Sequence, residues 1–397
     1  MSPLLLYLED APLGPHVAGT GLSKAFNATL SGLVSDSTRV CVAQTHQYVA
    51  PSHFAQEWCA QPAWAAPQAD WVLARVCARL PWPLARRTAA LHGRWLAHRL
   101  RARMPGLLPA ETRVLTPVGI DPLTLIRAEA LSKALSAHFE PYLVDDLQHH
   151  PANAHLQDHL GKVLTDVLGR ASRVYSITDG LGDILRQRHR VQARTLHLVA
   201  SVTPGSQPAE EDLGAPMRIS HFAFFLGSIN HLYAEGLKQL IDLVGQMRQA
   251  SGQDLTIRMS SASEQVQAEL GQVPPWVIVG PIADHAELSR QIAGSTFCFL
   301  PYSFDDGARS MTETSFPSKM IDYLAYARGI LVYGPESCVP VRLMVDNNLP
   351  LVASTVTTLN HCLQQLALAP VDHSPAYKQA IDRNFSPAAM RGALNLS

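Results

Sequence analysis

Short apolar runs alternate along this chain with longer stretches in which apolar residues recur every three to four positions. Residues 4–8, 39–43, 113–117, 141–144, 173–177 and 196–200 form one group of strand-like runs. Residues 222–226, 255–259, 276–279, 297–300, 330–333 and 349–352 form a second. Apolar runs separated by amphipathic segments predict parallel strands joined by right-handed helical crossovers. Between the groups, 203–216 is rich in Pro, Gly and acidic residues and is expected to be an exposed linker. The fold class that follows is α/β, with two parallel-sheet domains over 1–205 and 217–375 and a C-terminal segment over 376–397 that crosses back to the first. No short repeat or low-complexity tract interrupts the pattern.

Composition refines this picture only modestly. The chain has 397 residues, 47% hydrophobic and 16% charged, with formal net charge −1, as expected of an ordinary globular protein of two domains. Near-neutrality argues against wholesale binding of nucleic acid. Six widely spaced cysteines without a C-x-x-C pair fit a reducing compartment better than a disulfide framework or a zinc site. Residues 1–10 are apolar but short, lack a basic start and run into acidic residues, so they are expected to form a buried strand rather than a signal peptide. No stretch approaches the length needed to span a bilayer, and the expected location is cytoplasmic, with the inner membrane face as an addition.

That addition comes from 71–110, which departs from the average. It holds Arg75, Arg79, Arg86, Arg87, Arg94, Arg99, Arg101 and Arg103, two histidines, Trp71, Trp82 and Trp95, and no acid. Two helical patterns meet near Pro81-Trp82-Pro83. Such a segment suits an anionic membrane surface or a charged lipid-linked acceptor; a solvated arginine-rich helix is the bland alternative, and contact with nucleic acid a third.

The densest candidate chemistry lies at Ser315-Phe316-Pro317-Ser318-Lys319-Met320-Ile321-Asp322, between the apolar runs 297–300 and 330–333. This is a strand–helix–strand unit whose helix would begin at the carboxyl end of a strand, where phosphorylated ligands sit in open α/β sheets. Pro317 suits the first helical turn. Ser318 and Lys319 would meet an anion there, and Asp322, one turn on, could accept from vicinal sugar hydroxyls. A plain amphipathic helix with solvent-facing polar residues explains the same pattern.

Three further clusters are ambiguous. Gly19-Thr20-Gly21 follows the first strand and opens a helix over 22–30; it is either an ordinary turn or a loop that approaches a ligand. Val144-Asp145-Asp146-Leu147-Gln148-His149-His150 ends a strand, where an Asp–His pair could act as a general base or simply cap the next helix. Its two acids and two histidines could also hold a metal. Ser176-Ile177-Thr178-Asp179 is a capping sequence, Asp305-Asp306-Gly307 with Arg309 a candidate lid, and His16 and His46 lie near strand ends.

The run 297–335 resembles the nucleotide-binding half of GT-B glycosyltransferases, specifically the family-4-like group. The likeness rests on Phe299-Leu300-Pro301-Tyr302-Ser303-Phe304, then Ser315-Phe316-Pro317-Ser318-Lys319 with Asp322-Tyr323-Leu324-Ala325, then Ile330-Leu331-Val332-Tyr333-Gly334-Pro335. Phe225-Leu226-Gly227-Ser228-Ile229 is similar to the family's opening strand and glycine turn, and Asn384-Phe385-Ser386 to its closing segment. The N-terminal half matches in architecture only.

The resemblance implies two Rossmann-like domains facing across a cleft and transfer of a sugar from a nucleotide diphosphate-sugar to a glycan, lipid-linked or other acceptor, as in polysaccharide biosynthesis. It also implies retention of configuration, and neither metal nor resident cofactor. It implies donor contacts at Gly19, Gly21, Gly227, Ser228, Pro281, Tyr302, Ser303, Thr314, Ser315, Phe316, Pro317, Ser318, Lys319 and Asp322, with Lys319 as a catalytic group; Asp146 and His149 join it as catalytic candidates from their strand-end position. Two departures stand out. Of the family's two glutamates eight positions apart, Asp322 takes the second place and Thr314 the first, with Glu313 adjacent. The basic pair after the glycine turn is replaced by Asn230 and His231. A non-catalytic carbohydrate- or nucleotide-binding or scaffold protein of the same architecture is therefore the alternative, and an epimerase built on two such domains the more distant one.

Overall fold

The computed structural model describes residues 4–8, 40–44, 64–65, 80–103, 112–119, 121–199, 221–282, 284–369 and 371–395. The chain divides into two compact units. The first comprises residues 1–199, 314–316 and 387–397, and the second 200–313 and 317–386.

The strands described in the first unit are β1 (Leu4–Leu8), β2 (Val40–Gln44), β3 (Trp64–Ala65), β4 (Arg113–Val118), β5 (His138–Leu143), β6 (Val174–Ser176) and β7 (Ala193–Thr195). All pair in parallel, in the order β3-β2-β1-β4-β5-β6-β7. The order reverses at β1, which pairs with both β2 and β4. The first helix described, α1 (Trp82–Arg103), starts at the Pro81-Trp82-Pro83 break expected from the sequence. It is followed by α2 (Pro122–Leu135), α3 (Gln157–Leu168) and α4 (Asp179–His189).

Asp121 caps α2 by accepting from the Leu123 amide at 2.9 Å, and Pro122 supplies the fixed φ of a first helical position. α1 lays Ala85, Ala89, Leu96, Ala97 and Leu100 against α2. At Gly93 the two helices cross so closely that a Cβ would overlap the Arg127 carbonyl oxygen. Under β4 to β6 a buried fork forms. Arg113 donates from Nε and Nη2 to the two Glu140 carboxylate oxygens at 2.9 and 2.6 Å, and to the Tyr175 hydroxyl at 3.2 Å.

The second unit contains β8 (His221–Leu226), β9 (Ile257–Ser260), β10 (Val277–Val279), β11 (Ser295–Pro301), β12 (Ile330–Tyr333) and β13 (Val352–Ala353). Again all are parallel, in the order β10-β9-β8-β11-β12-β13. This is the doubly wound order, whose switch point falls between its first and fourth strands, here β8 and β11. Their crossovers are α5 (Ala234–Ser251), α6 (Ser263–Leu270), α7 (His285–Ala293), α8 (Arg309–Thr314), α9 (Lys319–Tyr326) and α10 (Val339–Asp346). α11 (Val356–Leu368) and α12 (Ser374–Ala380) follow, and α13 (Pro387–Ala393) belongs to the first unit. The core is aromatic: Phe222, Phe225, Phe297 and Phe299 are buried, and the Phe222 ring meets Phe297 edge-on at 5.2 Å.

Several expected boundaries shift. β7 covers 193–195 rather than 196–200. Leu196 still donates its amide to the Ser176 carbonyl at 2.8 Å, but Leu198 and Val199 are buried beyond the ladder, so the end of that apolar run marked burial and not strand pairing. The strand expected over 349–352 is β13 alone, because the Leu349 amide donates back to the Met344 carbonyl and Leu351 has φ +70°. β5 begins three residues before its expected start, at His138, and its buried Glu140 is paid for by Arg113. The two-residue β3 falls in the short apolar stretch 63–66, which was not among the expected strands. Gly19, Gly21, the helix over 22–30, His16, His46, Trp71 and the linker over 203–216 lie outside the described residues.

Candidate functional site

At the carboxyl end of β8 the chain turns through Gly227 at φ +95°, which a side-chain-bearing residue rarely adopts. The turn is held from three sides. The Gly227 amide donates to the Ser260 carbonyl at 3.0 Å, Ser261 Oγ donates to the Gly227 carbonyl, and the Leu226 amide donates to the Tyr323 hydroxyl at 2.8 Å. Tyr323 lies on α9, one turn after Lys319, so the same helix that pins the strand end carries the lysine beneath the turn.

Lys319 is 9% exposed, and its Nζ has no hydrogen-bond acceptor. The ammonium faces two rings, with Nζ 4.1 Å from the Phe225 centroid and 3.8 Å from that of Tyr233. Its Cε and Nζ lie 3.7 and 3.8 Å from where a Gly227 Cβ would be. Ring faces attract a cation but do not replace its hydration. Burial accordingly pushes the Lys319 amine down to about 7. The surrounding phenols move the other way, Tyr233 up to about 12 and Tyr323 well above its ordinary value, both through burial. Tyr233 also meets Tyr302 edge-on at 5.7 Å. The result is a buried amine at a switch-point glycine turn, held without a counter-charge. An anion placed at the turn would supply what the amine lacks.

The remaining predicted residues of the second unit distribute around β8, β10 and β11. Ser228 is exposed just past the turn, and Pro281 is exposed after Gly280, whose φ is +154°. Tyr302 and Ser303 are buried, and Ser303 Oγ accepts from the Asp305 amide at 3.1 Å, a local turn bond. Pro317 lies before α9 rather than in its first turn: its carbonyl accepts from the Met320 amide at 2.8 Å, and Ser318 occupies the cap position with no side-chain cap bond. Asp322 is half-buried on α9. The Asp305–Arg309 stretch forms local structure, with Asp305 Oδ1 accepting from the Gly307 amide at 2.9 Å and Arg309 paired with Glu313 at 2.8 Å.

Thr314, Ser315 and Phe316 group with the first unit. Thr178 Oγ1 accepts from the Leu181 amide at 3.1 Å, capping α4, and donates to the Thr314 carbonyl at 2.7 Å. Ser315 Oγ donates to Asp145 Oδ1 at 2.8 Å. Burial raises the Asp145 carboxyl, with the Ser315 hydrogen bond and His150 pulling the other way. The Phe316 ring sits 6.5 Å from that of His197.

Asp146 and His149 come together, but through a third residue that sequence reasoning missed. Arg188 Nη1 donates to Asp146 Oδ2 at 2.7 Å and lies 2.7 Å from His149 Nδ1. A guanidinium has no acceptor, so this contact is a hydrogen bond only where Nδ1 accepts. His149 Nδ1 also lies 3.4 Å from Asp146 Oδ2, so the three side chains form one cluster. Among the described residues no group of three or more His, Cys, Asp or Glu is placed to hold a metal ion.

Tyr233 and Arg188 were not named from the sequence, and Phe225 and Tyr323 stood there only inside the quoted motifs, with no role of their own. The two Tyr and the Phe had one signal, their spacing around Gly227 and Lys319. Arg188 had none, being one of several arginines on an exposed helix.

No protein-family model matches the sequence, and no curated protein matches it. Solved structures do. An alpha,alpha-trehalose-phosphate synthase (UDP-forming) from Burkholderia xenovorans, in complex with glucose-6-phosphate, is 10% identical over 98% of this chain and 99% of that one, with TM-score 0.62. An E. coli trehalose-6-phosphate protein bound with UDP-2-fluoro glucose is 11% identical over 99% and 98%, with TM-score 0.59. The lipopolysaccharide outer core galactosyltransferase WaaB, in its apo form, is 14% identical over 99% and 98%, with TM-score 0.57. At such identities the likeness is one of fold. The chain has the α/β, double parallel-sheet fold of GT-B glycosyltransferases.

Proposed function

We propose that this protein is a glycosyltransferase of the family-4-like kind, moving a sugar from a nucleotide diphosphate-sugar to a glycan or lipid-linked acceptor with retention and without a metal. The observation that carries the reading is the buried, acceptor-less Lys319 amine beneath the Gly227 turn. A diphosphate at that turn would meet the amine at close range in a water-poor setting, where a charge-assisted contact is strong. As the bond to the sugar breaks, negative charge grows on the leaving diphosphate, and Lys319 stabilises it without reorganisation. Asp322 would accept from ribose hydroxyls, Pro281 would lie along the base, and Asp146 and His149, fixed by Arg188, would orient acceptor or sugar hydroxyls. The fold supports the reading, since structures with UDP-2-fluoro glucose and with glucose-6-phosphate share it.

A second reading, donor binding without transfer, draws on one observation. Glu313, the acid beside Thr314, is already occupied. Burial raises its carboxyl, but hydrogen bonds from Arg309 and Ser337 outweigh that and hold it below the ordinary range. One experiment separates the readings: incubation with a panel of nucleotide-sugars and a candidate acceptor, following nucleoside diphosphate release. Transfer predicts release that depends on acceptor and falls sharply in Lys319→Ala. Saturable donor binding with no release over any acceptor overturns the transferase reading.

A further inference from the structure

Helix α1 has two apolar faces, and among the described residues only one of them is packed. Ala85, Ala89, Leu96, Ala97 and Leu100 are buried against α2. On the other side Leu84, Leu91 and Trp95 are 51%, 61% and 39% exposed. Their spacings of seven and four residues put them in one line, because seven residues advance an α-helix by nearly two whole turns. Arg87, Arg94 and Arg101, all exposed, form a second line at the same seven-residue spacing, and α1 has no acidic side chain. The Arg99 guanidinium lies over the Trp95 ring, 4.8 Å from its centroid.

We infer that this face of α1 docks the protein on an anionic bilayer surface. Both lines are needed for that conclusion. An apolar ridge of two leucines and a tryptophan inserts at the boundary of head groups and acyl chains, with flanking arginines among the lipid phosphates. A nucleic-acid backbone would engage the arginines and leave the leucines in water, so the ridge favours lipid. Lipid neutralises the arginine row and covers the ridge in a single contact. Among the described residues no helix is long and apolar enough to cross a membrane, so the contact proposed is peripheral. The inference stands independently of sugar transfer.

The test is flotation of the full chain with phosphatidylglycerol–phosphatidylcholine vesicles, against phosphatidylcholine alone. Each basic residue near an anionic surface multiplies partitioning about fivefold. The variant Arg87→Ala/Arg94→Ala/Arg101→Ala should therefore bind ~10²-fold more weakly. Leu84→Ser/Leu91→Ser/Trp95→Ser should lose roughly tenfold or more, since apolar burial is removed while charge stays. The control Arg170→Ala/Arg186→Ala/Arg194→Ala, with three exposed arginines of the same unit off α1, should bind as the wild type does. Wild-type binding should fade as salt shortens the Debye length from about 10 Å to about 3 Å. Binding of a soluble nucleoside diphosphate, read in parallel by calorimetry, should be equal in all variants, so its loss would speak to the donor site and not to this surface. Failure of the wild type to float at low salt overturns the inference. So does a serine variant that floats unchanged, and a single-stranded RNA that binds α1 and is as indifferent to the serine substitutions would then identify the face as a phosphate reader.

Discussion

Binding of a nucleoside diphosphate should draw a proton from solution, and Lys319 should be the group that takes it. In the protein by itself, burial lowers this amine from 10.5 to about 7. That change corresponds to roughly 5 kcal/mol in favour of the neutral form. A diphosphate at the Gly227 turn would reverse the preference by giving the ammonium a counter-charge. At pH 8 the free protein holds Lys319 roughly 90% neutral and the diphosphate is fully ionised, so binding should take up roughly 0.9 proton. The phenols of Tyr233 and Tyr323 stay protonated there, because burial has pushed them up. Calorimetry at pH 8 in buffers of different ionisation enthalpy measures the uptake directly. Lys319→Met should abolish it and weaken binding by about 1.5–3 kcal/mol. The ligand-free protein carries the mirror-image signature. The folded amine titrates below the unfolded one, so stability should rise with pH between about 7 and 10.5, and the methionine variant should lose that slope. An observed enthalpy that is the same in every buffer at pH 8, or an uptake that survives in Lys319→Met, would refute the argument.

Two structural predictions accompany it. Gly93→Ala places a methyl against the Arg127 carbonyl and 3.0 Å from Ala130 Cβ, and should cost about 1–3 kcal/mol in denaturant unfolding; an unchanged midpoint would mean α1 and α2 do not cross so closely. Glu140→Gln strips the charge that compensates buried Arg113 and should destabilise by about 3–5 kcal/mol, whereas a loss below about 1 kcal/mol would show the pair to be wet.

Much of the fold was legible because parallel strands buried on both faces write themselves as apolar runs. β8, β11 and β12 are such runs, and each was found within three residues of its ends. The errors share one physical cause. An apolar run reports burial, and burial need not coincide with pairing. Leu198 and Val199 are buried after their ladder has ended, and Leu349 is buried while its amide closes a helix. Conversely, His138 and Glu140 pair within β5 although neither is apolar, since Arg113 neutralises the acid.

Of the candidate site, the sequence named Lys319 and Asp322 but not the aromatic residues that enclose the amine. Lys319 and Asp322 stood out through their place in the Ser315–Asp322 motif, since a cation and an acid at a helix start also suit a plain amphipathic helix. Phe225, Tyr233 and Tyr323 looked like any core aromatics, and in packing terms they are. What makes them functional candidates is a relation that no local pattern encodes: two rings and a glycine turn from one stretch of chain close over an amine about ninety residues later. The same relation explains why the lysine tolerates burial. The rings exclude water and so weaken the charged form, while Tyr323, by holding the Leu226 amide, keeps the turn open above it. A lysine left in water would be charged with or without a ligand and would gain little from an anion. A lysine held near neutrality gains its charge and its partner together. The cost of that burial would be recovered only when an anion arrives, which on the proposed reading couples occupancy of this site to protonation at Lys319.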